Sequence, residues 1–312
     1  MSKVKDGFFG HAIGDAMGVP IEFKDREELL KKPVTSMIGY GSHSIPEVTW
    51  SDDTSMEIAT IDSIVNKKKI DYQDIMMNFY YWLKDNKYTP HGEVFDAGRT
   101  CVQSIVNFSK GIELLECGQR DIYSNGNGSL MRILPVAYYC HYKKCREDEI
   151  YEIVKNVSSL THAHEISILG CYIYVNYVMF LLNGKDKLSA YNMVKLVDYS
   201  KFSEGALSKY SRILKGNIIH LSVNDIKSGG YVVDTLEASM WVILNANNFK
   251  DAIIGAINLG GDTDTVGAVT GGMAGIIFGY DSIPEKWLNK LARKDYLEEL
   301  FAKFEKMLVE EI

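Results

Sequence analysis

An all-α fold, packed as a single compact multi-helix domain over residues 1–312, is what this sequence predicts, on three observations. Apolar residues recur at three- and four-residue spacing in segment after segment. Sustained period-two alternation, the mark of a half-buried strand, is hard to find. No Ser/Gly-rich or Pro-rich linker divides the chain, and no internal repeat is detectable.

In chain order, the helical spacing covers 4–17, 54–66, 71–85, 96–110, 128–142, 147–159, 165–183, 187–198, 203–214, 231–246, 249–258, 263–278, 284–292 and 296–310. Asp71, Asp148 and Ser282-Ile283-Pro284 are start signals, the last placing proline at a first turn. Pro135 falls inside 128–142 and is expected to bend or restart that helix. The tyrosine-rich run Ile166–Leu182 is long enough to favour helix over strand. The run Val266–Phe278 reads as the most membrane-like, yet it falls short of the ~18 apolar residues that span a bilayer, so it is expected to be a buried helix. Gly267, Gly271 and Gly275 leave one face of that helix bare for a neighbouring backbone. The long irregular stretches are 18–50 and 111–127, and loops of that length in a compact domain are more often functional than idle.

Composition narrows the function classes. With 46% hydrophobic and 24% charged residues the chain can bury a substantial core. A formal charge of −7 and the absence of a basic cluster beyond Lys67-Lys68-Lys69 argue against nucleic acid as partner. Cys101, Cys117, Cys140, Cys145 and Cys171 are scattered, odd in number and without a CxxC pair, so reduced thiols and a cytoplasmic setting are expected. The N-terminal MSKVKDGFFGHAIGDAMG is interrupted by His11 and Asp15 and lacks an export-type apolar region, and no membrane partner is expected.

Two acidic knots carry the chemistry. Leu259-Gly-Gly-Asp262-Thr263-Asp264-Thr265-Val266-Gly267 sets two carboxylates and two hydroxyls at a loop-to-helix junction, and Ser51-Asp52-Asp53-Thr54 does the same far upstream. Either alone is accounted for by helix capping and the helix dipole. Together they offer the oxygen donors that two hard cations prefer, and a cation relieves the repulsion between adjacent carboxylates. A second constellation is His11-Ala-Ile-Gly14-Asp15-Ala-Met-Gly18-Val-Pro-Ile-Glu22-Phe23. A third, Ser124-Asn125-Gly126-Asn127-Gly128-Ser129, reads as a loop running into a helix; its N–H groups suit either a phosphate or a plain turn. In Thr161-His162-Ala163-His164-Glu165 the histidines diverge, which disfavours a shared zinc and leaves one of them as a pocket wall, a cap or a core group.

The segments GHAIGDAMGVPIEF, WSDDTSM, FDAGRT, NGNGSLMR, THAH, SGGYVVDTLEA and LGGDTDTVGAVTGGMAGIIFG, in that order, resemble the ADP-ribosylglycohydrolase family, including the dinitrogenase reductase-activating glycohydrolases. The resemblance runs from His11 to Trp287. It implies an all-helical hydrolase with two Mg²⁺ or Mn²⁺ ions that cleaves the glycosidic bond between ADP-ribose and an acceptor. It also implies metal ligands at Ser51, Asp52, Asp53, Asp262, Asp264 and Thr265, with Ser51 in place of the commoner threonine. It assigns Glu22 an acid/base or gating role and puts Asp96 and Gly98 beside the distal ribose. Ser124, Gly126, Asn127 and Gly128 match the diphosphate and ribose loop, His162 a pocket histidine, and Tyr231 an aromatic near the adenosine.

The mechanism expected from this likeness uses the metals to orient a water, while Glu22 or one of Asp52, Asp53 and Asp96 moves the proton. ADP-ribosyl-arginine on a protein is the favoured substrate, because FDAGRT and SGGYVVDTLEA look like the arginine-directed bacterial members. Serine-linked or small-molecule conjugates, a magnesium-dependent phosphohydrolase and a non-catalytic ADP-ribose binder remain alternatives.

Overall fold

The computed structural model describes residues 3–310. Its regular elements are helical: among the described residues β-pairing is limited to two isolated bridges, Gln119 with His162 and Gly126 with Tyr231. The helices are α1 (Val4–Gly18), α2 (Arg26–Lys31), α3 (Asp52–Lys67), α4 (Tyr72–Asp85), α5 (Arg99–Ser109), α6 (Leu134–Tyr142), α7 (Glu147–Ser159) and α8 (Glu165–Leu182). They continue with α9 (Lys187–Val194), α10 (Glu204–Lys209), α11 (Ser211–Leu214), α12 (Val232–Asn245), α13 (Phe249–Ile257), α14 (Thr263–Phe278), α15 (Glu285–Lys290) and α16 (Lys294–Glu310).

The axis of the molecule is the pairing of α1 with α14, two helices buried almost all round. A Cβ on Gly267 would lie 2.3 Å from the Gly14 carbonyl oxygen, one on Gly271 2.1 Å from that of Gly10, and one on Gly275 1.9 Å from that of Asp6. The bare face expected on α14 therefore meets an equally bare face on α1, and backbone touches backbone. Thr263 Oγ1 donates to the Gly18 carbonyl at 2.8 Å, locking the start of α14 to the end of α1. α12 and α13 pack against α14, and α3 touches both α1 and α14.

Start signals explain the boundaries. Asp71 accepts from the Asp74 N–H as a side-chain cap of α4, and the lysine run closes α3 in exposed left-handed backbone at Lys68. Pro135 restarts rather than bends: residues 128–133 form turns and α6 begins at Leu134, since a proline is tolerated in the first turn but not deeper. The 124–129 loop consequently runs into turns, and no helix N-terminus stands at its end. Two further expectations needed correction. The 18–50 stretch contains α2, and 203–214 is broken into α10 and α11 at Tyr210. Among the described residues the helix long and apolar enough to cross a membrane is α8, 72% of whose apolar window is buried inside the protein, while the Val266–Phe278 run is, as expected, part of a buried helix. α8 is apolar all round because neighbours cover it all round.

α2 escaped the apolar pattern because it is short and acts through one polar residue. The Arg26 guanidinium donates to the carbonyls of Leu259 (2.7 Å), Val223 (2.5 Å) and Ile226 (2.7 Å) and to Ser228 Oγ (3.1 Å). It thereby ties the segment before α12 to the turn that opens α14.

Candidate metal and substrate site

The turn before α14 is built for its position. Gly260 and Gly261 both take φ near +74°, and a Cβ on Gly261 would lie 2.5 Å from the Ser228 carbonyl oxygen, so no other residue fits. Phe23 N–H donates to the Gly261 carbonyl at 2.7 Å, and Gly261 N–H to the Lys24 carbonyl at 2.9 Å. This pairing sets Glu22 opposite Asp262 and Asp264, and the three offer carboxylate oxygens within 4.8 Å of one another.

The upstream knot is carried by the first turn of α3 and gripped from α1. Asp15, fully buried, accepts from Ser51 N–H (3.0 Å), Thr54 N–H (3.0 Å) and Thr54 Oγ1 (2.6 Å). Ser51 caps α3 by accepting from Asp53 N–H, and its hydroxyl donates to Asp53 Oδ2 at 3.2 Å. Thr265 Oγ1 lies 3.4 Å from the same oxygen, so hydroxyls from two knots some two hundred residues apart meet on one carboxylate.

A single cavity collects these groups: Glu22, Asp52, Asp53, Asp96, Asp262, Asp264 and Thr265 line it together with Gly98, Gly126, Asn127, Gly128 and His162. Ser51, Ser124 and Tyr231 do not. Ser51 stands behind Asp53, Ser124 N–H is turned to the Asp121 carbonyl, and Tyr231 caps the start of α12, bridged to Gly126.

Glycines at two positions keep side chains out of the cavity where space is short. A Cβ on Gly128 would press to 2.8 Å from both Cys101 Sγ and His162 Cε1, and one on Gly230 to 2.8 Å from Asp262 Oδ2. Asn127, expected to face a substrate, points its amide at the metal side: Nδ2 donates to Asp262 Oδ2 (3.0 Å) and to Thr235 Oγ1 (2.9 Å). His162 is buried at the cavity edge. Its Nδ1 shares a 2.8 Å hydrogen bond with Thr161 Oγ1, which also accepts from Arg132 at 2.8 Å. Burial holds His162 neutral, its pKa lowered to about 3. His164 turns away and caps α8 through the Ile166 N–H.

Electrostatics mark the cavity as a place for cations. Burial, and then repulsion from Asp96, Asp262 and Asp52, pushes Glu22 up to about 10. Burial followed by neighbouring carboxylates also raises Asp52, Asp53 and Asp264 well above the usual range. Arg99 is the only lysine or arginine among the described residues lining the cavity. Asp53 Oδ1 and Asp262 Oδ1 are buried without a hydrogen-bond partner, the orphaned oxygens a bound divalent ion would satisfy. With hard oxygen donors throughout, the residues fit Mg²⁺-like ions.

Asp15, Arg26, His43 and Gly230 escaped sequence reasoning. Asp15 and Gly230 stood in quoted motifs, GHAIGDAMG and SGGYVVDTLEA, but no local pattern shows what either meets across the fold; Arg26 and His43 carry no signal before the chain folds.

Comparison with known proteins agrees with this geometry. The family described as ADP-ribosylglycohydrolase matches residues 1–311. The chain is 31% identical to the ADP-ribosylarginine hydrolase Tri1 of Pseudomonas putida (strain GB-1), covering 96% of this chain and 77% of that protein. It is 28% identical to the ADP-ribosyl-[dinitrogen reductase] glycohydrolase of Rhodospirillum rubrum, over 92% of this chain and 89% of the relative. A solved structure named as an ADP-ribosylglycohydrolase-related protein complex superposes with a TM-score of 0.82 at 24% identity over 98% of both chains, a likeness of fold. Matched along its length and closing its two distant acidic knots around one cavity, the chain belongs to the ADP-ribosylglycohydrolase family and is an enzyme that hydrolyses the glycosidic bond of ADP-ribose conjugates.

Proposed function

We propose that this enzyme releases ADP-ribose from modified arginine side chains of proteins, acting as one domain over residues 1–312 with two Mg²⁺ or Mn²⁺ ions. The observation that carries the reading is the convergence of six carboxylates on one cavity, two with orphaned oxygens. Ser51, Asp52, Asp53, Asp262, Asp264 and Thr265 are the residues we assign to the ions. When bound, such ions supply positive charge for sugar oxygens and lower the pKa of a coordinated water.

The protein's own groups do the rest. Asp15 and Asn127 hold Asp53's turn and Asp262 in place, so the donors need not reorganise during reaction. Glu22 and Asp96 both line the cavity, with carboxylate oxygens within 4.8 Å of one another. In our reading one of this pair takes the proton of the attacking water and the other returns it to the departing nitrogen, a service worth roughly 10²–10⁴-fold. A guanidinium acceptor suits a mouth walled by carboxylates, which draws cations. Gly126 and Gly128, without side chains, leave room for ribose and diphosphate, with His162 as a neutral hydrogen-bonding group; Gly98 we assign, with Asp96, to the distal ribose. We assign Ser124 to the diphosphate and ribose and Tyr231 to the adenosine, although neither lines the cavity itself. The thiols are unpaired, which fits a reducing compartment such as the cytoplasm.

Purified protein incubated with an arginine-ADP-ribosylated protein and Mg²⁺ or Mn²⁺ is expected to yield free ADP-ribose. Chelation and Asp52→Ala are each expected to abolish that yield. Release of phosphate instead, cleavage confined to serine-linked conjugates, or binding of ADP-ribose without turnover would replace this reading with one of its competitors.

A further inference from the structure

Beside the all-oxygen centre lies a second donor set of different character. Glu22, His43 and Asp96 come from three separate segments and place a carboxylate, an imidazole and a carboxylate within 4.8 Å of one another. His43 Nε2 is hydrogen-bonded to Glu22 Oε2. The placement is built into the backbone. Ser42 N–H donates to the Pro20 carbonyl at 3.0 Å, and Ser42 Oγ to the Glu22 carbonyl at 2.5 Å. Only a glycine at position 41 allows this approach, since a Cβ there would lie 1.5 Å from the Pro20 oxygen. The 39–45 turn is thus fastened onto residues 20–22, with its histidine over Glu22. Phe23 and Phe95 flank the imidazole, with ring centroids 6.1 and 5.4 Å away.

The geometry points to a zinc site at the mouth of the cavity, formed by His43, Glu22 and Asp96, whose occupation inhibits the enzyme. Mg²⁺ is a hard ion that prefers oxygen, whereas Zn²⁺ takes imidazole and carboxylate together, typically three protein ligands and a water. Two carboxylates and an imidazole also cancel the ion's charge, which a partly buried position favours. Tetrahedral bonds of about 2.0–2.1 Å put ligand atoms about 3.4 Å apart. The three donors sit on irregular backbone and need adjust by little more than an ångström. Glu22 belongs to this set and to the one with Asp262 and Asp264, so zinc here withdraws Glu22 and Asp96 from proton transfer. The inhibition rests on the function proposed above; the binding does not.

The test uses the full chain with saturating Mg²⁺. Co²⁺ serves as a visible stand-in for Zn²⁺. The wild type is expected to show the intense absorption of low-coordinate cobalt, bleached by one equivalent of Zn²⁺. In His43→Gln and Asp96→Asn, both verified as folded by circular dichroism, the band is expected to be missing. The Zn²⁺ concentration that halves ADP-ribose release, each protein compared with its own zinc-free rate, should rise at least about tenfold in His43→Gln. A wild type with only weak octahedral absorption, or a band or zinc sensitivity unchanged in His43→Gln, overturns the site. A His43-dependent band in a protein that releases no ADP-ribose from any conjugate leaves the site standing and rejects the activity.

Discussion

Gly267→Ala tests the axis on which the site depends. The new Cβ would lie 2.3 Å from the Gly14 carbonyl oxygen and 2.9 Å from its carbon, both backbone atoms that cannot swing aside. Reaching ordinary contact requires α1 and α14 to part by about 1 Å along a seam where backbone meets backbone. Overpacking costs typically 1–3 kcal/mol, and a backbone obstacle puts this case at about 3 kcal/mol. Against that, alanine is favoured over glycine within a helix by about 1 kcal/mol. The net loss is about 2 kcal/mol, which for a chain of 312 residues reads as a fall in Tm of about 3 °C. Gly255→Ala is the matched control: it is helical and exposed, and its Cβ would meet only Val242 Cγ1 at 3.5 Å, so Tm should rise slightly. Both variants are melted in chelator to keep metal binding out of the comparison. Titration with Mn²⁺ then checks the coupling to the site, because Asp264 and Thr265 lie within a turn of Gly267 and should bind more weakly when it moves. A Gly267→Ala protein as stable as wild type, or shifted upward like Gly255→Ala, would refute the reasoning.

Other predictions concern the charges and their supports. Asp264→Asn removes one carboxylate from a mutually repelling group, so the chelated protein should melt at a higher temperature than wild type while losing both Mg²⁺-induced stabilisation and ADP-ribose release; a lower melting point in chelator would contradict this. Glu22 is raised from 4.5 to about 10, so the folded, chelated protein holds a proton the unfolded chain has released. The associated stability is present below about pH 4.5 and is lost as pH rises toward 10, and melting curves in chelator should fall across that window, less steeply with Mg²⁺. Asp15→Ala strands Ser51 N–H, Thr54 N–H and Thr54 Oγ1 in a buried place, at about 3 kcal/mol or more; denaturant titration should show it, with weakened Mn²⁺ binding and partial recovery in Asp15→Asn. Thr161→Val takes the shared partner from Arg132 and His162, at about 1–3 kcal/mol, and should raise KM more than it lowers kcat if His162 serves binding.

Periodicity and punctuation decided the helices before any coordinates: 3.6-residue spacing, Asp71 as a cap, Pro135 as a restart and the four-residue glycine ladder of α14 are local properties of a chain. The acidic knots were legible for the same reason, each being a short run whose chemistry is visible without a neighbour. What tertiary structure alone decided is who meets whom. The glycine ladder has α1 as its partner, Asp15 grips the DDT turn from a different helix, Asn127 serves Asp262 rather than an open loop, and His43 crosses a long loop to stand over Glu22. α2 was missed because six residues anchored by one arginine carry no apolar period. Hydrogen bonds and charge repulsion act over a few ångströms of space whatever the distance along the chain. The residue types at the site could therefore be read from the sequence, while their division into ligands, supports and bystanders came only with folding.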